Sequence, residues 1–173
     1  MEDAPALVKY ADNRKIWLNL RDGFPHPYRL QDAQDFIRHS NASVPKTVYA
    51  IATETEAIGS IGLMLGRDVH RFTAEMGYWL AEPFWGKGIM TRAVKAMAAY
   101  AIGDLLLHRI SAVPYAANSA SARVLEKAGF KREGTLRCSA FKDGKIVDQV
   151  LYSLVKPKVH RHYLVSRYAA DVE

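Results

Sequence analysis

The stretch Tyr78-Trp79-Leu80-Ala81-Glu82-Pro83-Phe84-Trp85-Gly86-Lys87-Gly88-Ile89-Met90-Thr91 decides how this chain is read. A strand pattern runs into two closely spaced glycines, and an amphipathic helix begins directly after them. Such a junction aims several backbone N–H groups, and the positive end of a helix dipole, at one point, which suits a phosphate. Glycine matters there because a side chain would hold an anion away from the backbone. A lone Gly-x-Gly is a weak signal, since glycines punctuate many loops. Its weight comes from the strand before it and the helix after it.

On the strand side, the alternate residues Phe72, Ala74, Met76, Tyr78 and Leu80 are all apolar, which predicts a half-buried strand. On the helix side, Ile89, Met90, Ala93, Val94, Met97, Ala98, Ala101 and Ile102 form one stripe of 3.6 period. Further upstream, residues 48–53 and 58–65 read as two strands joined by a tight turn. Residues 4–20 read as one helix with Leu7, Tyr10, Trp17 and Leu18 on one face, broken by Gly23-Phe-Pro-His-Pro27. Asp32-Ala-Gln-Asp35 resembles a capping box that opens a short helix carrying Phe36 and Ile37. Downstream, residues 109–113 read as a strand, and residues 118–128 as a helix capped by Gly129. Residues 134–141 and 146–155 read as a hairpin around Asp143-Gly144. Helices separated by strands, with an antiparallel hairpin toward each end, predict an α/β (α+β) fold with a mixed sheet covered by helices.

Bulk properties exclude several classes. A chain of 173 residues, 49% of them hydrophobic, is long and apolar enough for one domain with its own core. No apolar run reaches the length of a membrane span. The start, Met-Glu-Asp-Ala-Pro, lacks the basic and apolar regions of a signal peptide. One cysteine, Cys138, allows no intramolecular disulfide and fits a reducing cytoplasm. The net charge of +6 comes from scattered basic residues, which fits a polyanionic cofactor better than a nucleic-acid stripe. His160-x-His162 offers too few ligands for a metal. Arg92, Lys95, Arg123 and Lys127 read first as solvated helix faces.

Two motifs together carry a resemblance. Trp85-Gly-Lys-Gly-Ile-Met90 resembles the Arg/Gln-x-x-Gly-x-Gly/Ala pyrophosphate loop of the GNAT superfamily of acyl-CoA-dependent N-acetyltransferases. Asn118-x-x-Ser121 followed by Glu126-Lys-Ala-Gly-Phe130 is similar to the Asn-x-x-Ser…Glu-Lys-x-Gly-Phe signature of its RimJ/RimL-like branch. The order of elements matches from about residue 4 to residue 155. The resemblance implies a mostly antiparallel central sheet flanked by helices and splayed between the family's fourth and fifth strands. It implies one acyltransferase domain over residues 1–155, with the family's first strand missing and a tail, 156–173, as an extra strand or dimer arm. That tail and the missing strand make a homodimer an expectation.

The same resemblance implies acetyl-CoA as cosubstrate and a primary amine as acceptor, with direct attack in a ternary complex. The cofactor-binding set is then Trp79, Leu80, Trp85, Gly86, Lys87, Gly88, Ile89, Met90, Thr91, Asn118 and Ser121. A backbone N–H near Leu80, where two strands part, would polarise the thioester carbonyl. Gly77 fits a bulge that would part them. The chain departs from the family at Trp85, at Met90 (expected to crowd the loop), at Leu125 where many members carry a general-acid Tyr, and at Ala140 where some carry a Glu.

Glu75 is the candidate base; its alternatives are a solvent-facing residue, an Arg partner, or a water relay in its place. Ser121 is the candidate group for the leaving thiolate, though serine is also common at a helix start. Asn118 either meets the pantetheine amide or caps the helix, or both. A peptide acceptor predicts an open groove between the first helices and the closing hairpin. A polyamine or aminoglycoside predicts a cluster of carboxylates, for which Asp22, Asp32 and Asp35 are the available acids. The competing class is a non-catalytic acyl-CoA sensor of the same fold; a nucleic-acid-binding module rests on net charge alone.

Overall fold

Apolar alternation builds the sheet from the middle outward. In the computed structural model, which describes residues 1–156, β2 (Ala57–Leu65) pairs antiparallel with both β1 (Val48–Ala52) and β3 (Thr73–Leu80). β4 (Arg109–Ala112) joins β3 in parallel. β6 (Lys145–Val155) pairs antiparallel with β4 and with the outer strand β5 (Lys131–Lys142). The order is β1-β2-β3-β4-β6-β5, with a single parallel contact. The helices are α1 (Ala4–Ala11), α2 (Arg14–Trp17), α3 (Leu30–Ala42), α4 (Ile89–Gly103) and α5 (Ser119–Lys127).

Each face of the sheet carries its own helices. Ala74, Met76 and Leu80 of β3 pack with Met90, Val94, Met97, Ala98 and Ala101 of α4 and with Leu125 of α5. Ile58, Val94, Ile110 and Leu125 are fully buried there, each contributing about 1.5–3 kcal/mol of apolar burial. On the opposite face, Trp79 joins Ala4, Leu7 and Ala11 of α1, Ile16 of α2, Tyr28 and Ala33. β3 is therefore covered on both sides.

Four local readings need correction. The helix expected over residues 4–20 breaks after Ala11, because Asn13 turns extended (φ −137°) and its side chain accepts the Lys15 N–H at 2.8 Å, starting α2 afresh. The helix expected at Asp32 starts at Leu30, because Asp32 is the third residue of its first turn and accepts the Arg29 N–H at 2.7 Å. The closing hairpin is longer than expected, with β5 starting at Lys131, and its turn places Asp143 and Gly144 at φ 50° and 76°. Gly77 makes no bulge: the β2–β3 register runs unshifted from Gly59 opposite Leu80 to Leu65 opposite Ala74.

The parting of β3 from β4 arises differently. They pair only from Thr73 to Glu75, against Arg109 to Ser111. Beyond Ala112 comes Pro114, which has no N–H to continue a ladder, while its carbonyl is taken by Val150 of β6 at 2.9 Å. β4 thus follows the closing hairpin, and β3 continues to Leu80 paired with β2 only. This parting of β3 from β4 is the splay that the resemblance implies. The tail expected as an extra strand or dimer arm lies, from residue 157, outside the described residues. Among the described residues no helix is long and apolar enough to cross a membrane, and no group of three or more potential metal ligands occurs.

Candidate active site

The turn into α4 has the geometry of an anion cradle. Gly86 and Gly88 sit in the left-handed region, at φ 75° and 72°, where a side chain costs backbone strain. No side chain caps α4, and its first backbone bond runs from the Arg92 N–H to the Gly88 carbonyl at 3.2 Å. The N–H groups of Ile89, Met90 and Thr91 precede that bond and are left without intrahelical partners. Met90 does not crowd the turn as expected: its side chain is buried in the main core, and its N–H stays with the helix end. Lys87 reaches over the Phe84 ring, 5.3 Å from its centroid. Among the described residues, Lys87, Arg92, Arg123 and Lys127 make no ion pair.

Trp85 ties this turn to the strand, since its indole N–H donates to the Leu80 carbonyl at 2.6 Å. The backbone of Leu80 faces the gap for a reason fixed by register. The Ala81 N–H donates to the Ile58 carbonyl at 2.8 Å, and Gly59 lies opposite Leu80. Bonded and non-bonded pairs alternate along an antiparallel ladder, so Leu80 turns its N–H and C=O away from β2, toward the parted β4. With the carbonyl taken by Trp85, the N–H remains. The Trp79 ring lies on the other face, packed edge-on to Phe24 at 5.9 Å.

Two further groups flank the gap. On the α4–α5 face, the Asn118 carboxamide oxygen accepts the Ser121 N–H at 3.0 Å, so Asn118 caps α5; its NH2 group is not used in that cap. The Ser121 Oγ lies 2.8 Å from the Tyr78 hydroxyl. Burial pushes the Tyr78 phenol up to about 12, with the Ser121 hydrogen bond pulling weakly the other way. Leu125, where many family members carry an acid, is wholly buried. On the opposite face, Glu75 is paired with Arg21. Glu75, the last β3 residue paired with β4, borders the gap on one face and is held by Arg21, while Ser121 lies on the other face.

The acceptor side is spanned rather than open. Arg14 of α2 meets Asp143 in the hairpin turn at 2.8 Å. Asp22 meets Lys142 of β5 at 2.7 Å, and the Lys142 ammonium sits 3.6 Å from the centroid of Trp17. The Tyr115 hydroxyl donates to the Leu20 carbonyl at 3.3 Å. Together with Arg21–Glu75, these contacts make residues 14–22 a bridge from β3 to the hairpin tip. The three acids do not gather at a mouth either: Asp22 pairs with Lys142, Asp32 caps α3, and Asp35 pairs with Arg38.

Residue-by-residue reading missed Tyr78 and this bridge. Tyr78 appeared as one more apolar position of a strand; the available signal was its hydroxyl, which needs a partner once buried. Arg21 and Lys142 carried no signal, because their partners lie far away in sequence.

The family described as Acetyltransferase (GNAT) domain matches residues 1–131. The chain belongs to the GNAT acetyltransferase family. It is 38% identical over 103 residues to the uncharacterized N-acetyltransferase YoaA of Bacillus subtilis, covering 60% of this chain and 58% of that protein. It is 30% identical over 164 residues to the uncharacterized N-acetyltransferase p20 of Bacillus licheniformis, covering 90% and 89%. It is also 28% identical over 153 residues to the ribosomal-protein-serine acetyltransferase of Escherichia coli, covering 86% and 85%. The first B. subtilis matches span roughly half of those relatives' length, from 45% to 59%. Among solved structures, Mycobacterium smegmatis RimJ in complex with CoA-disulfide superposes with a TM-score of 0.79 at 22% identity, covering 92% of this chain and 80% of that one. That likeness bears out the fold: a mixed, mostly antiparallel GNAT sheet flanked by helices.

Proposed function

We propose that this GNAT domain transfers an acetyl group from acetyl-CoA to a primary amine, in the cytoplasm. The observation that carries the reading is the uncapped α4 N-terminus behind two left-handed glycines, set beside a gap into which Leu80 turns a backbone N–H. The N–H groups from Gly86 to Thr91 hold the pyrophosphate, with Lys87 near it. Trp85 pins the turn and the Asn118 NH2 meets a pantetheine amide, while Trp79, whose backbone pairs with Ser60 of β2 and whose ring packs on the other face, leaves the binding set.

The amine nitrogen attacks the thioester carbonyl carbon, and the oxyanion is met by the Leu80 N–H. The C–S bond then breaks with its electron pair on sulfur, and the thiolate leaves toward Ser121. Glu75 lies five residues down β3 from Leu80, about 16 Å at about 3.3 Å per residue, so the proton of the attacking nitrogen reaches it through a chain of water or is lost to water. The relative named a ribosomal-protein-serine acetyltransferase supports a protein as acceptor, and we take its N-terminus as the amine. Residues 14–22 span the region where a peptide acceptor predicts an open groove, so the peptide reading rests on that relative and not on the groove. The non-catalytic sensor is not favoured, since a serine, a backbone N–H turned from β2 and a carboxylate lie at or beside the gap.

Calorimetric titration with acetyl-CoA, with CoA and AMP as controls, tests the first half. Micromolar binding followed by CoA release with N-terminal peptides supports the whole reading. Binding without release for any peptide or small amine hands the protein to the sensor class. No binding by the folded protein refutes the phosphate turn.

A further inference from the structure

We infer that Tyr78 is a positioning residue for the departing thiolate: its buried hydroxyl donates to Ser121 Oγ and so leaves the serine hydrogen for the sulfur. This rests on the acetyl-transfer reading and deepens it. The geometry comes first. Tyr78 lies three residues beyond Glu75, the last β3 residue paired with β4, so it belongs to the parted stretch of the strand. Its side chain lies on the same face as Met76 and Leu80, the face of α4 and α5. Its oxygen is 2.8 Å from Ser121 Oγ. Ser121 is thereby held twice, through its backbone by Asn118 at 3.0 Å and through its side chain by Tyr78.

Two hydroxyls can bond in either direction, and acidity decides between them. A serine hydroxyl has one hydrogen and two lone pairs. If Ser121 donated to Tyr78, that hydrogen would be spent inside the protein. If Tyr78 donates to Ser121, the hydrogen is available to the charge that develops on sulfur. A phenol is a stronger acid than an aliphatic alcohol and is the better donor of the two. Burial also keeps Tyr78 protonated. Donors in series polarise one another, so the order tyrosine to serine to thiolate strengthens as the C–S bond breaks. No proton leaves Tyr78, because a thiol, at about 8.5, is far more acidic than this phenol. The sulfur departs as the anion, with both electrons of the C–S bond, and takes its proton from solvent on release.

The test is a double-mutant cycle of Tyr78→Phe and Ser121→Ala, with kcat and KM for acetyl-CoA measured on each. Tyr78→Phe is expected to lower kcat about three- to tenfold, the worth of one hydrogen bond, with KM for acetyl-CoA unchanged. In the Ser121→Ala background the same change is expected to cost nothing further. A Tyr78→Phe enzyme with wild-type kcat overturns the inference, as does an equal loss with and without Ser121, the pattern of mere packing. Should Tyr78→Phe fail to fold, a fluorinated tyrosine at position 78 keeps the question open to measurement. Its more acidic phenol brings an alkaline fall in kcat into reach, and a profile unchanged from wild type overturns the inference. Wild-type protein that releases no CoA with any amine sinks the transferase reading itself; normal wild-type turnover with an indifferent Tyr78→Phe sinks only the role of Tyr78.

Discussion

Replacing Gly88 separates the two things the phosphate turn needs, a left-handed backbone and the absence of negative charge. At φ 72° any other residue costs about 1–2 kcal/mol. Space adds nothing to that, since a Cβ at this position would meet only Arg92 Nη1, at 3.7 Å. Gly88→Ala is therefore expected to fold, with a melting temperature lower by about 2–8 °C. Its N–H groups still point at the anion, so acetyl-CoA binding should weaken by no more than about tenfold. Gly88→Glu adds a carboxylate to the same backbone change. About 5 Å from a phosphate charge, at an effective dielectric of about 20, the repulsion is about 3 kcal/mol per charge, or more than a hundredfold in affinity. If the new carboxylate pairs with Arg92 instead, that guanidinium is drawn off the anion. Calorimetry with acetyl-CoA on both variants, with circular dichroism to confirm folding, reads the difference. A folded Gly88→Glu protein that binds like wild type would refute the assignment of the turn, and equal losses in both variants would refute the charge argument.

Glu75→Gln should leave acetyl-CoA affinity intact, lower turnover and shift the pH optimum; wild-type rates would pass the proton to water. Glu133, bonded first by Arg109 and then by Ser153, has its carboxyl pulled down to about 2, so its contribution to stability is complete above about pH 4.5 and fades as pH falls toward 2. Glu133→Gln should flatten the dependence of melting temperature on pH in that window, and an unchanged slope would remove the pair from the account. The bridge over the acceptor side should respond asymmetrically. Lys142 has a side chain only 3% exposed while Asp22 is 70% exposed, so Asp22→Asn strands a buried charge and should cost about 2 kcal/mol. Lys142→Met keeps the stem against Trp17 and should cost about 1 kcal/mol or less, raising KM for the amine and not for acetyl-CoA; the reverse order of stabilities would contradict this.

Local pattern was enough for most of the architecture. The strand, turn and helix at residues 73–103 were legible because period-2 and period-3.6 repeats adjoin at glycines whose backbone no other residue adopts cheaply. The helix caps at Asn118 and Gly129 and the hairpin turn at Asp143-Gly144 were legible for the same local reason. The break at Asn13 was written in the chain but outvoted by the apolar stripe on either side of it. The parting of β3 and β4 was expected, but its cause was assigned to Gly77 when it lies at Pro114 and in the pull of β6.

Alone, the amino-acid sequence determined most of the elements, the double-glycine turn into α4 and the family, because each depends on contacts between near neighbours in the chain. Tertiary structure decided what the side chains do once the chain has closed. Tyr78 finds Ser121 forty-three residues away, Arg21 finds Glu75 at fifty-four, and Lys142 finds Asp22 at one hundred and twenty. Such partners share no repeat that spacing can reveal. They meet because β3 and the closing hairpin are held apart at one end and spanned by residues 14–22 at the other. The acceptor side is written in that closure, a property of packing between distant segments rather than of any one of them.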